Sequence, residues 1–147
     1  MLESAKARDA KLFVLAIDDV ESSVKTAALV RKHFPKLPIL ARARNRVHTF
    51  RLRDLDVEAV ERETMLSNLE TARQALVATG VAPAQAARAV EIFLAHDRNL
   101  LDIQYAVRQD EQQFVQTTTQ AAAQLQELFE ADIKVTPTVP PVVRAPG

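Results

Sequence analysis

The sequence predicts an α/β fold, part of a doubly wound parallel sheet followed by long α-helices, and three observations lead there. Residues 11–17, KLFVLAI, form an apolar run that stops at two carboxylates, Asp18 and Asp19. Such a run suits a strand covered on both faces, with acids at the carboxyl end where doubly wound sheets bind ligands. A second short run, LPILA at residues 37–41, follows one amphipathic segment, which is the layout of a β-α-β unit with a right-handed crossover. From Arg62 to about Ala131, a single proline and a single glycine interrupt helical periodicity.

Taken in order, residues 2–8 read as a short polar helical turn. Residues 11–17 are too uniformly apolar for a wet edge and are expected as a central strand. Asp18 or Asp19 caps a helix from Val20, with Val24, Ala27, Ala28 and Val30 as its apolar stripe. Arg31, Lys32 and His33 fall in its last turn and complement the helix dipole, and Pro35 ends it. After the strand at 37–41, Asn45 caps a short basic helix over residues 46–55 that turns Val47, Phe50 and Leu55 toward the sheet. A third strand is expected at 57–60.

The next helix, residues 63–79, carries Met65, Leu69, Ala72 and Leu76 on one face and ends at Gly80 as a C-cap. Pro83 opens a further helix that runs past Phe129 with a break near residues 96–99. About 48 residues at 1.5 Å each make a rod of about 70 Å, too long for this sheet to bury. Ile92, Leu100, Ile103, Val107 and Phe114 along it therefore require a partner helix or a partner subunit. The tail, KVTPTVPPVVRAPG, has four prolines in fourteen residues and is expected to be extended and mobile. The resulting divisions are residues 1–61 for the sheet, 62–133 for the helical extension and dimerisation region, and 134–147 for the tail.

At 147 residues and 48% hydrophobic, the chain supports one core and an accessory element. Nineteen basic and nineteen acidic side chains cancel, which argues against nucleic acid as a partner. There is no cysteine, hence no disulfide framework, thiolate nucleophile or thiol metal ligand. No run reaches the roughly 20 apolar residues of a membrane span, and MLESAKARDAK lacks the apolar centre of a signal peptide, so a soluble, cytoplasmic chain is expected. With Gly80 and Gly147 as its only glycines, neither G-x-G-x-x-G nor a Walker loop can be written in it.

Four groups of residues are candidates for a site. Asp18 and Asp19 can serve as helix cap and ligand contact, one each. Arg42, Arg44, Arg46, Arg51 and Arg53, with His48, place five guanidiniums in twelve residues, suited to carboxylate or phosphate or to pairing with Asp54, Asp56, Glu58 and Glu61. Without interleaved aromatics they are no nucleic-acid signature. Glu61-Arg62-Glu63-Thr64 combines a capping box with an arginine that the box does not use and that can point at a ligand. His96, Asp97, Arg98 and Asn99 read as a polar pocket at a bend or, with more weight, as a solvated face. His33, His48 and His96 lack zinc spacing, and no nucleophile elbow occurs, so neither metal site nor catalysis is expected.

Residues 2–64, with the phrases AIDD, KHFP-x-L-x-I-x-ARAR and ERET, resemble the C-terminal half of the Rossmann-like KTN (RCK, TrkA-N type) domain that regulates potassium channels and transporters. ETARQALVATG and an IF-x₃-D segment extend the likeness to Kef-type glutathione-regulated potassium efflux systems, through about Tyr105. The resemblance implies a dimerising Rossmann-like fold, with a nucleotide, NAD(H) or AMP, in its cleft and glutathione or a conjugate at the subunit interface. It also implies a covalently linked membrane transporter domain at the bacterial inner membrane. Residue by residue, it implies that Arg62 and Asp97 meet glutathione with Arg44 from the ARAR phrase, and that Asp18 and Asp19 border the nucleotide cleft. Met65 stands where the family commonly has Phe, and Asn45 replaces an acid. Two other classes remain beside this one: an assembly module without a small ligand, and a remnant of an NAD-binding dehydrogenase.

Overall fold

The computed structural model describes residues 10–135. The helical turn expected at 2–8 and the tail from 136 onward lie outside the described residues. The chain divides into two compact units, with the boundary between Asn68 and Leu69.

The first unit alternates strand and helix: β1 (Phe13–Leu15), α1 (Val20–His33), β2 (Ile39–Ala43), α2 (Arg46–Arg53) and β3 (Ala59–Arg62). All neighbours are parallel, in the order β1-β2-β3. Phe13 lies opposite Ile39, Leu15 opposite Ala41, and Ala43 opposite Arg62. Alternation then puts Leu15, Ile39, Ala41 and Ala43 on one face, where they form the core with Ala27 and Val30 of α1 and Leu52 of α2. This is an α/β, Rossmann-like arrangement.

Two expectations about β1 are corrected. It is an edge strand, bonded to β2 alone among the described residues, and β2 is the central one. Nor, among the described residues, is the sheet covered on both faces: Val14 is 61% exposed, and Leu12, just before the strand, 48%. Each successive strand is added in the same direction, so right-handed crossovers bring α1 and α2 to one side only. The paired segments also begin two residues later than the sequence suggests for β2 and β3, which makes Arg42 and Arg62 strand residues.

Local signals placed the helix ends. Asp19 Oδ1 accepts from the Ser22 N–H at 2.8 Å and caps α1, and Asn45 Oδ1 accepts from His48 N–H at 2.9 Å and caps α2. On α2, however, Val47 is exposed, while His48, Thr49, Phe50 and Leu52 are buried. The α1–α2 contact needs side chains that can hydrogen-bond inside, and Ser23 and His48 supply them. On α1, Ala28 of the expected stripe is exposed and Ser23 takes the inner position.

α3 (Met65–Ala78) straddles the boundary between the units. It ends in a Schellman motif, with Gly80 N–H donating to Val77 O and Val81 N–H to Leu76 O, both at 3.0 Å. Gly80 has φ +100°, which glycine tolerates without strain. The second unit continues with α4 (Pro83–Ala106) and α5 (Glu111–Val135).

The long rod is therefore corrected to two helices. No break occurs at 96–99; the chain turns at 107–110, and α5 folds back on α4. Gln104 donates to Thr118 Oγ1 at 3.0 Å near the turn, and Arg88 pairs with Asp132 at 2.9 Å toward the open end, so the helices run antiparallel. Asp110 sets the turn: its Oδ1 accepts from Gln113 N–H at 2.9 Å, and Gln113 Nε2 returns to its Oδ2 at 2.8 Å. α5 is one partner helix, but the face of α4 that is buried carries Ala86, Asp97, Leu101 and Gln104, while Ile103 of the expected stripe stays 42% exposed. α5 includes Lys134 and Val135, two residues that the proline-rich composition places in the extended tail.

Candidate functional site

Parallel strands align their carboxyl ends, so the residues that follow β1, β2 and β3 gather along one border of the sheet. Asp18, Arg42, Arg44 and Glu63 meet there. Arg42 forms an ion pair with Asp18 through Nη2, which also donates to Ala16 O at 3.3 Å. Its Nη1 lies 3.6 Å from Glu63 Oε1, and Arg44 Nη1 lies 3.7 Å from Glu63 Oε2. One carboxylate thus bridges two guanidiniums.

The backbone explains why Glu63 is available for this. Its N–H donates to Ala43 O at 2.9 Å and extends the β2–β3 ladder one residue beyond Arg62. Clipped beside Ala43, Glu63 stands next to both arginines that flank that residue. Arg62 lies opposite Ala43 in register, so its side chain leaves from the other face of the sheet than that of Arg42. It is half-buried and engaged in interactions of its own.

The two aspartates divide their work. Asp19 is the helix cap, and hydrogen bonding from Ser22, side chain first and then backbone, holds its carboxyl below the usual range. Asp18 is exposed and faces Arg42.

His48 was grouped with the arginines in sequence but takes a different place. Its ring is fully buried; Nδ1 accepts from the Arg44 N–H at 3.2 Å and Nε2 lies 3.1 Å from Ser23 Oγ. With Nδ1 accepting from an amide, the proton sits on Nε2, which donates to Ser23. Burial, and then the charge of Arg51, push the imidazole below its ordinary value, against the opposing pull of Glu21. A neutral histidine therefore fixes the backbone of Arg44 at the mouth of the site.

The remaining arginines of the cluster are not aimed at this border alone. Arg51 forms a fork with Glu21, 2.5 and 2.9 Å, joining α2 to α1. Glu58, expected to pair within the cluster, instead accepts from Ile39 N–H at 2.8 Å and lies 3.4 Å from Arg31.

In the second unit, Asp97 is buried at 6% exposure on α4, one of four buried residues of that helix with Ala86, Leu101 and Gln104. The solvated-face reading is corrected for Asp97, because α5 packs over that side. Asn99 and Arg98 remain exposed. Among the described residues, no three His, Cys, Asp or Glu side chains are grouped to hold a metal, and no helix is long and apolar enough to cross a membrane.

Sequence reasoning missed Glu63 as the acid shared by two arginines, and Arg31 as a hub of hydrogen bonds. The Glu63 contact had no signal in the sequence alone, because it takes the register, Glu61 opposite Arg42, to put residues 61 and 63 on the side of Arg42.

Comparison with known proteins divides the chain in a similar way. Residues 1–63 match the TrkA-N domain, and residues 67–139 match the potassium efflux system KefB C-terminal domain. A solved structure, the Shewanella denitrificans Kef CTD in AMP-bound form, is 37% identical with a TM-score of 0.68 and covers 72% of this chain and 67% of that one. This chain belongs to the Kef C-terminal regulatory domain family. The glutathione-regulated potassium-efflux system protein KefC of Escherichia fergusonii is 34% identical over 132 residues, 90% of this chain. KefC of Escherichia coli O139:H28 and of Shigella boydii serotype 18 match to the same extent. The chain spans 21% of the length of these KefC relatives. Among the described residues, Asp18, Arg42, Arg44 and Glu63 gather charge at the carboxyl border of this Kef-family sheet.

Proposed function

We propose that the chain is a ligand-sensing domain that gates a glutathione-regulated potassium efflux (K⁺/H⁺ antiport) system. The observation that carries this reading is the meeting of Arg42 and Arg44 at the carboxyl border of a Kef-family sheet. Glutathione has two carboxylates and one ammonium, and guanidiniums together with acids are their chemical complement. In this reading Arg44, Arg62 and Asp97 serve glutathione or its conjugates, and Asp18 and Asp19 border a cleft for AMP or NAD(H). The solved Kef relative in AMP-bound form supports the nucleotide part.

A ligand gates only by favouring one arrangement of the protein over another, and a site shared by two copies has that property. The domain works as a homodimer on the cytosolic side of the inner membrane, linked to the transporter, and makes no bonds of its own. A bulky sulfur substituent presses on the bordering helices and changes their packing. The test is Arg62→Ala in the full transporter, with potassium efflux followed as glutathione and an S-substituted conjugate are varied. Control by glutathione should weaken; an unchanged response to both refutes the assignment of Arg62.

A second reading, an assembly module without a small ligand, draws on Val14, exposed on an edge strand, and Leu12, exposed just before it. Thermal shifts with glutathione, its conjugates and AMP separate the two. The sensing reading expects stabilisation by at least one of them; the assembly reading expects none, with melting that depends on protein concentration.

A further inference from the structure

The carboxylate of Glu63 occupies the position that an anionic ligand of Arg42 and Arg44 would take. Its two oxygens point one to each guanidinium, as a bridging ligand carboxylate or phosphate would. We propose that Glu63 is a built-in competitor, an internal anion that keeps the Arg42–Arg44 pair closed until a ligand carrying a carboxylate or phosphate displaces it. The proposal rests on the reading that these arginines meet an anionic ligand, and adds how that encounter is held in check.

Three features make displacement feasible. The separations, 3.6 and 3.7 Å, exceed the roughly 2.7–2.9 Å of a tight charge-assisted hydrogen bond, so the pairing is Coulombic and loose. The Arg42 and Arg44 side chains are 37% and 52% exposed, so an incoming anion reaches them from solvent. The backbone of Glu63 is fixed by its bond to Ala43, so displacement needs only a side-chain rotation and leaves the sheet intact. Asp18 plays a different part, since it holds Arg42 alone and from the β1 side.

The same geometry predicts the direction of a charge-removing substitution. Glu63→Gln keeps the shape and the ladder bond but removes the competing charge. An exposed pair of this kind is weak, so the affinity gain for an anion should be up to about five-fold. The experiment is calorimetric titration of the wild-type chain and Glu63→Gln with AMP, glutathione and inorganic phosphate as separate probes. The three probes distinguish a nucleotide phosphate, a peptide carboxylate and a bare anion. The same pair is compared in an Arg42→Ala/Arg44→Ala background, with Glu63→Ala as a second removal of the charge.

The expected result is tighter binding of at least one probe by both Glu63 variants, and no gain in the background without the two arginines. Wild-type binding that Glu63→Gln leaves unchanged or weakens overturns the competitor while the ligand reading stands. An equal gain in the arginine-free background also overturns it, because the effect is then one of overall charge. If no probe binds either form, the ligand reading falls and the competitor with it.

Discussion

Replacing Arg31 with alanine should destabilise the first unit more than any other surface substitution on α1. Its guanidinium donates from Nε to Leu55 O at 3.1 Å and from Nη1 to Pro35 O at 3.0 Å and Leu37 O at 3.1 Å; Nη2 reaches Asp56 O. Four backbone carbonyls, from the approach to β2 and from the turn between α2 and β3, thus share one cation whose side chain is 17% exposed. A hydrogen bond to a charged group contributes about 1.5–3 kcal/mol net. The four are not additive, and water replaces some of them at this half-open rim, so a total loss of about 3 kcal/mol is expected. At about 4 °C per kcal/mol for a chain of this size, that lowers the melting temperature by about 12 °C. Urea unfolding followed by far-ultraviolet circular dichroism measures it. Arg31→Lys should recover less than half, because a compact ammonium cannot span carbonyls on two sides. A loss below about 1 kcal/mol for the alanine variant, or full recovery by lysine, refutes the reasoning.

Two further outcomes are expected. Folded His48 holds its proton less tightly than an unfolded imidazole at its ordinary 6.5, so the unfolded chain binds more protons below that value. Stability is fully present above pH 6.5 and declines as pH falls through the lowered folded value; urea midpoints at pH 7.5 and 5.5 should differ, and His48→Gln should flatten the difference. Asp110→Ala removes the cap of α5 and should cost about 1 kcal/mol, read as a lower melting temperature with faster amide exchange confined to the first turn of α5.

The features that were legible in the sequence are local ones. Asp19, Asn45, Gly80 and Pro83 mark helix ends by chemistry that operates within four residues, and the structure places each at its helix end. The strand–helix alternation was legible too, because each apolar run is bounded by its own cap or proline. The position of β1 was not: an apolar run reads the same at the centre of a sheet and at its edge, and only the pairing partner decides. The turn at 107–110 was hidden because Val107 and Phe114 continue the apolar spacing across it. The Asp110-to-Gln113 capping pattern was there to be read. Asp97 could not be placed from α4 alone, since its burial depends on α5 returning over it. At the site, the arginines were legible as a cluster, but the choice of partner, Asp18 and Glu63 for Arg42, is made across strands far apart in sequence.

The two units also differ in how soon they can assemble. Pairing α4 with α5 closes a connection of four residues, so the hairpin can form on the order of microseconds. The sheet must bring Phe13 to Ile39 and Leu40 to Ala59 across whole helices, and such distant pairings are slow because chain entropy is lost before the contacts repay it. Closing the sheet across α1 buries Leu15 but leaves Val14 and Leu12 exposed, so the apolar run at 11–17 stays accessible to a partner that reads apolar strands even after the strands have paired.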